Sequence, residues 1–188
     1  MTSFALSEML GAAVVDNTGA RIGSVREVVV APQEDPNTVW ALIVKTGAGR
    51  RMLPVAQVAA VNGAIRAATS PSQWLTVEGT DGLLLLERDL LDQQIIDING
   101  RKVVRVNDVD FTPFITADGT LVLRIEAVDV GVRGAMRRLL KGVIPAATLR
   151  VLLARISPKM IPWQFVDLIE TDPARRVKLK ISHEKLST

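Results

Sequence analysis

Aliphatic and polar positions alternate through most of this chain and are interrupted every few residues by Gly, Pro, Asn or Asp, a pattern that predicts short β-strands joined by tight turns. Val14-Val15, a turn at Asp16-Asn17-Thr18-Gly19 and a return from Ile22 to Val30 read as a hairpin, with Gly19 where positive φ is tolerated. Val39 to Thr46, Arg51 to Pro54, Val58 to Val61 and Ala64 to Ala68 continue the series, parted by Pro32 to Asn37, Gly47-Ala48-Gly49 and Asn62-Gly63. Strands this short and this many close more readily into a barrel than into a flat sheet with open edges.

The pattern then repeats. Leu10, Val14, Val15, Asp16, Gly19, Arg21, Ile22, Val25, Glu27 and Val28 align with Leu91, Ile95, Ile96, Asp97, Gly100, Lys102, Val103, Val106, Asp108 and Val109 at a constant offset of 81. Met52-Leu53-Pro54, Val58 and Val61 align with Met160-Ile161-Pro162, Val166 and Ile169 at an offset of 108, so the second copy carries an insertion of 27 residues. The expected fold is mainly β, with tandem small barrels over residues 1–69 and 91–182 and a helical insertion at about 131–159. Residues 70–90 read as a linker whose Trp74 and Leu83 to Leu86 pack on the barrels, Arg175 to Ile181 as a closing strand after a turn at Asp172-Pro173, and 183–188 as a tail. Asp16, Gly19, Asp97 and Gly100 are the structural residues of the paired turns.

The insertion has a different period. Val132, Met136, Leu139, Leu140 and Val143 fall on one helical face with Arg137, Arg138 and Lys141 opposite, and beyond Gly142 a second face forms from Leu149, Leu152, Leu153 and Ile156, flanked by Arg150 and Arg155. The expectation is a pair of short basic helices, and the plainest of their readings packs the apolar face inward and leaves the basic face solvated.

Charge sharpens this picture. Net charge is +3, yet residues 131–159 hold seven basic side chains and no acidic one, leaving 16 basic against 20 acidic elsewhere. Arg133, Arg137, Arg138, Lys141, Arg150 and Arg155 are therefore the candidate contacts for a protein partner or a membrane surface. Three readings of them stay open: a solvated helix face, a helix lying on anionic headgroups, and a dock for RNA phosphates.

Other chemistry is sparse. With no Cys and one His, His183 in the tail, thiol catalysis, thiolate metal sites and a Ser-His-Asp arrangement have no material to build them. Asp16, Asp97, Asp108, Asp110 and Asp129 could supply oxygen ligands to Mg²⁺, but Asp at the start of a turn is better explained by its bonds to backbone N–H groups. A polar pocket shared by Asp97, Asp129 and Asp167 would be needed to revive an enzymatic reading. Trp40, Trp74 and Trp163 read as core or interdomain anchors rather than base-stacking platforms, since aromatics total 4% and Tyr is absent. No apolar run reaches the roughly 18 residues of a membrane-spanning helix, and the first residues lack a basic leader. A cytoplasmic, non-catalytic binding module without a cofactor is expected.

The strand, the Asp-x-x-Gly turn, the long strand and the short strand ending in Leu53-Pro54 resemble the PRC-barrel family, carried by Asp16, Gly19, Ile22, Gly23 and Val25 and again by Asp97, Gly100, Val103, Val106 and Ile161-Pro162. That family includes the cytoplasmic domain of the photosynthetic reaction-centre H subunit and the C-terminal domain of the ribosome-maturation factor RimM. A narrower likeness lies in Leu90-Leu91-Asp92, Val106 to Val109, Val128 to Gly134 and Ile161-Pro162-Trp163, together with Leu179 to Leu186. It is similar to the N-terminal part of bacterial proteins that join PRC-barrels to an MgtE-type magnesium-transporter N-terminal domain and CBS domains. The resemblance implies a regulatory adaptor of a magnesium-transport-related protein at the inner face of the membrane, with the cation-sensing residues in a domain starting near Glu184 to Thr188, while exposed barrel edges or the apolar helix faces could support a homodimer. The other implied role is a RimM-like assembly factor whose Arg137, Arg138, Lys141 and Arg150 face RNA.

Overall fold

The strands predicted from alternation form sheets that share one interior. The computed structural model describes residues 3–154, 156–157 and 159–168. In chain order the first half runs β1 (Phe4–Ala5), the helical turn α1 (Leu6–Met9), β2 (Ala13–Val15), β3 (Arg21–Val30), β4 (Ala41–Thr46), β5 (Gly49–Pro54), β6 (Val58–Val61) and β7 (Ile65–Ala67). β8 (Leu75–Thr76) and β9 (Leu84–Leu85) follow, and then α2 (Leu86–Asp89), β10 (Gln94–Asp97), β11 (Lys102–Arg105), β12 (Asp108–Ile115) and β13 (Leu121–Asp129). The insertion folds as α3 (Val132–Leu140) and α4 (Ala146–Leu153), and the chain returns through β14 (Met160–Pro162) and β15 (Val166–Leu168).

The element order of the first half recurs in the second. One sheet runs β6-β7-β2-β3-β4-β5-β8 with β9 added beside β3; the second half divides its strands between β1-β12-β13-β14 and β11-β10-β15. The division falls at Val106-Asn107, where the copy of the single long strand β3 breaks into β11 and β12. The expected closing strand Arg175 to Ile181, the Asp172-Pro173 turn and His183 lie outside the described residues.

Residues 70–90 supply strands to the first sheet. β8 pairs with β5, and Trp74 is buried with its indole N–H donating to Thr69 Oγ1 at 3.1 Å. Leu85 sits with Val29, Ala41, Ile43 and Met52 on one side of this sheet. The other side faces the main core, in which Leu6, Met9, Val28 and Leu42 pack with Phe111, Leu123 and Val128 of the second half.

The halves are laced together by an exchange of leading strands. β1 pairs with β12 of the second half, Phe4 opposite Phe111 and Ala5 opposite Asp110. β9 pairs with β3 of the first half, Leu84 opposite Val30 and Leu85 opposite Val29. Each pairing is the image of the other, with the leading strands offset by 80 residues and their partner strands by 81. Each lead strand is only two residues long and exposes little backbone, which suits an edge that must be covered by the other half.

Candidate docking site

The helical hairpin is built on a set of buried carboxylates. Asp108 and Asp129 stand directly opposite each other on β12 and β13, both fully buried. Asp108 accepts the Ser7 N–H at 3.0 Å and the Ser7 hydroxyl at 2.6 Å, satisfying the start of α1. Burial pushes the Asp108 carboxyl above its ordinary value, against the opposing pull of Ser7 and of Arg137. Asp129 accepts the Gly131 N–H at 2.7 Å where α3 begins, and burial pushes its carboxyl up as well.

α3 lands on this cluster with its basic face. Arg137 Nη1 lies 3.2 Å from Asp108 Oδ2 and 3.2 Å from Asp110 Oδ1, and its side chain is 14% exposed. Arg138 makes a two-pronged pair with Asp92, at 3.0 and 2.7 Å, and donates to the Asn107 carbonyl. That pairing holds the Asp92 carboxyl below its usual value. Lys141 Nζ donates to the carbonyls of Ser7 and Leu10 at the end of α1, a favourable place for a cation, and desolvation lowers the ammonium below the ordinary lysine value. Gly134 permits the close approach, because an added Cβ would lie 2.9 Å from Asp129 Cγ.

The expected orientation of the insertion is thereby reversed. Arg137, Arg138 and Lys141, read as outward contacts, tie α3 to β12, Asp92 and α1, and of the apolar face predicted to pack inward Val132, Leu139 and Val143 are exposed while Met136 and Leu140 are half-buried. Val132 is 67% exposed, Leu139 78%, Val143 76% and Val151 of α4 69%. Coulombic and hydrogen-bonding demand explains the reversal: buried Asp108 requires a cation, whereas exposed aliphatic groups lose only their burial. Leu149 and Leu153 turn inward and hold α4. Arg133 Nε is buried without a hydrogen-bond partner among the described residues, beside the similarly unpartnered Asp129 Oδ2. The side chain of Arg150 and all of Arg155 lie outside the described residues.

Ser7, Leu10, Glu87, Leu91, Asp92, Arg138 and Lys141 line an open cleft of about 370 Å³ where α1, α2 and α3 meet. Of its charged groups, Asp92 and Arg138 pair with each other and Lys141 donates to backbone carbonyls.

The predicted turn residues sit on loops remote from this cluster. Asp16 Oδ1 accepts the N–H groups of Thr18 and Ala20, both at 2.9 Å, and Gly19 has φ +90°. In the second copy Asp97 accepts the Gly100 N–H at 2.9 Å, but the left-handed residue is Arg101, at φ +50°. Gly100 serves there through closeness, since its Cβ would fall 2.2 Å from Asp97 Oδ2. Of the five aspartates weighed as Mg²⁺ ligands, Asp108, Asp110 and Asp129 are brought together, and Arg137 occupies the cationic position between Asp108 and Asp110. No group of three or more His, Cys, Asp or Glu that could hold a metal ion occurs among the described residues. Asp97 and Asp129 lie in different sheets, and the Asp167 side chain lies outside the described residues.

Ser7, Glu27 and Asp92 were not singled out by sequence. An acidic residue inside an aliphatic strand was the available signal, present at Glu27 and at its aligned partner Asp108. Asp92 takes φ +63° at the position where the first half has Gly11 at φ +80°. An Asp is tolerated in this conformation, and here it also binds Arg138.

Residues 1–73 match the PRC-barrel domain family. The match runs from the start of the sequence through β7 and ends just before Trp74. No curated protein matches the sequence. No helix among the described residues is long and apolar enough to cross a membrane.

Proposed function

We propose that this protein is a non-catalytic adaptor that docks a partner surface through the α3–α4 hairpin. The observation that carries this reading is the outward apolar side of the hairpin, where Leu139 of α3 and Val143 of the following turn stand more than three-quarters exposed while the basic face of α3 is committed inward. A helix held by its polar side leaves its hydrophobic side for a second body. The PRC-barrel domain supports a binding role, and the repeated element order supports a second barrel of the same kind after it.

The finer assignment, an adaptor of a cytoplasmic magnesium-transport-related protein, rests on the sequence resemblance of residues 90–109, 128–134, 161–163 and 179–186 alone. A RimM-like role at RNA is less well supported, because Arg137, Arg138 and Lys141 would have to leave Asp108, Asp110, Asp92 and the α1 carbonyls to reach phosphates.

A photo-crosslinking residue placed at Val143, compared with one at Gly119 on the remote β12–β13 turn, tests the reading in cells producing the whole chain. Adducts specific to Val143 are expected, and they should vanish in the Leu139→Asp variant. Identical adducts from both positions, or none from either, would overturn the adaptor assignment.

A further inference from the structure

We infer that the outer edge of β11 docks an extended, acidic segment of a partner protein, at a surface separate from the apolar side of the α3–α4 hairpin. The two halves of the chain differ at this edge. In the first half, Ser24 of β3 pairs with Ala13 of β2 on one side and with Lys45 of β4 on the other. Arg105 aligns with Ser24 and pairs with Gln94 of β10, but β11 is the last strand of its sheet among the described residues. The counterpart of β4 is β13, which ends at Asp129 opposite Asp108 and gives way to α3 at Val132. The helical insertion thus begins where the covering strand would have run on, and it leaves β11 open.

Val106 directs both of its backbone groups toward β10, its N–H to the Gln93 carbonyl at 3.0 Å and its carbonyl to the Asp92 N–H at 2.9 Å. Alternation along the strand turns the N–H and C=O of Arg105 and Val103 the other way. Both residues are exposed, and Val103 stands directly opposite Ile96, itself 38% exposed. An added strand therefore finds two donors, two acceptors and an aliphatic pair to lie against, the requirements for extending a sheet.

Charge selects the occupant. Lys102 and Arg105 bracket Val103-Val104, and both are exposed. Neither makes a salt bridge among the described residues, and Arg105 reaches Asp92 only through its field. A second copy of β11, antiparallel and centred on the valines, would set Lys102 against Arg105 twice, like charges directly opposite. The chain's own stretch from Arg175 to Lys180 has four basic side chains and no acidic one, so it too is repelled. An antiparallel strand reading acidic-aliphatic-aliphatic-acidic meets Arg105, Val104, Val103 and Lys102 in turn and complements each of them. The two cations thus blunt the edge against copies of itself and keep it open for a partner of opposite sign.

Titration of the full chain into a labelled peptide with the core Glu-Val-Val-Glu, read by fluorescence anisotropy, tests the edge against a Lys-Val-Val-Lys counterpart. Binding of the acidic peptide alone is expected. N-methylation of its first Glu and second Val, which would pair with Arg105 and Val103, should weaken binding at least about tenfold by removing two hydrogen bonds. Lys102→Glu with Arg105→Glu, at exposed positions, should switch the preference to the basic peptide, and Leu139→Asp should leave binding unchanged. Amide exchange at Val103 and Arg105 should be fast in the free chain and slow once the acidic peptide is added. No binding of the acidic peptide, equal binding of both peptides, or indifference to N-methylation would overturn the assignment. So would Val103 and Arg105 amides already protected in the free chain. Protection independent of concentration gives the edge to the chain's own residues, and protection that grows with concentration gives it to a second copy. The methylated peptide is measured on the parent chain, so the test stands even if the charge-reversed variant fails to fold.

Discussion

Glu27 and Asp108 occupy equivalent places in the two halves of the chain, and each carboxylate closes the start of a helical turn belonging to the other half. Asp108 receives the N–H and hydroxyl of Ser7, and Glu27 receives the N–H groups of Glu87 and Arg88 at 2.7 and 3.2 Å. These acceptors come from across the molecule, because the N-cap residues Ala5 and Leu85 have no side chain that can accept from their own turns. Removing the acceptor should therefore weaken the junction between the halves. Asp108→Ala strands Arg137 and the Ser7 donors together and is expected to cost about 3 kcal/mol in urea denaturation, against about 1 kcal/mol for Ser7→Ala. Equal, small losses would show that the junction does not depend on this carboxylate.

The same geometry sets a pH dependence. Burial raises Glu27 above 4.5 even though the N–H groups of Glu87, Val28 and Arg88 pull it down. The folded chain then binds the proton more readily than the unfolded chain, so stability from this group increases as pH falls from the raised folded value to 4.5 and is constant below it. Relative to Glu27→Gln, the parent should gain stability on acidification through that window, by denaturant midpoints taken from neutral pH downward. A difference that shrinks on acidification would contradict the burial argument.

Arg137 and Arg138 are neighbours with unequal roles. Arg137 meets fully buried Asp108, whereas Arg138 meets Asp92 at 32% and 55% exposure. Arg137→Ala is expected to cost about 2–3 kcal/mol and to speed amide exchange through α3, while Arg138→Ala should cost less than about 1 kcal/mol. Similar exchange rates in the two variants would mean that α3 is held by contacts other than the Asp108 pair.

Gly134 offers a third contrast. In an exposed helix, Gly→Ala stabilises by about 1 kcal/mol through propensity. Here the new Cβ would sit 3.0 Å from Asp129 Oδ2 and closer still to its Cγ. Overpacking of about 1–3 kcal/mol should reverse the sign, so that Gly134→Ala lowers the melting temperature. A raised melting temperature would show that α3 can lift from β13 at little cost.

The sequence was legible wherever a periodic signal was long enough. The Asp16 and Asp97 hairpins, the long strands β3 and β13, and the paired helices of the insertion follow from alternation, turn chemistry and helical spacing. The side of α3 that meets the barrels was not legible, because a helical period defines two faces without saying which is covered. That choice is made by Asp92, Asp108 and Asp110, which lie 27 to 46 residues away from Arg137 and Arg138 in the chain. β1 and β9 were missed for a simpler reason: two residues cannot display a period of two. Gly100 is a turn residue like Gly19, but the positive φ that Gly19 takes in the first copy falls on Arg101 in the second.

The exchange of leading strands also imposes an order on synthesis. A nascent chain that has emerged only through residue 73 holds the whole sequence matched to the PRC-barrel domain, yet it lacks Leu84-Leu85 beside Val29-Val30 and the N–H groups that Glu27 accepts. Ser7 waits longer still, since Asp108 follows it by 101 residues. Closing so long a loop adds little to the equilibrium cost of folding but slows the search. During that interval the bare edge of β3 is the strand a chaperone would shield, and the strand on which two unfinished chains would first join.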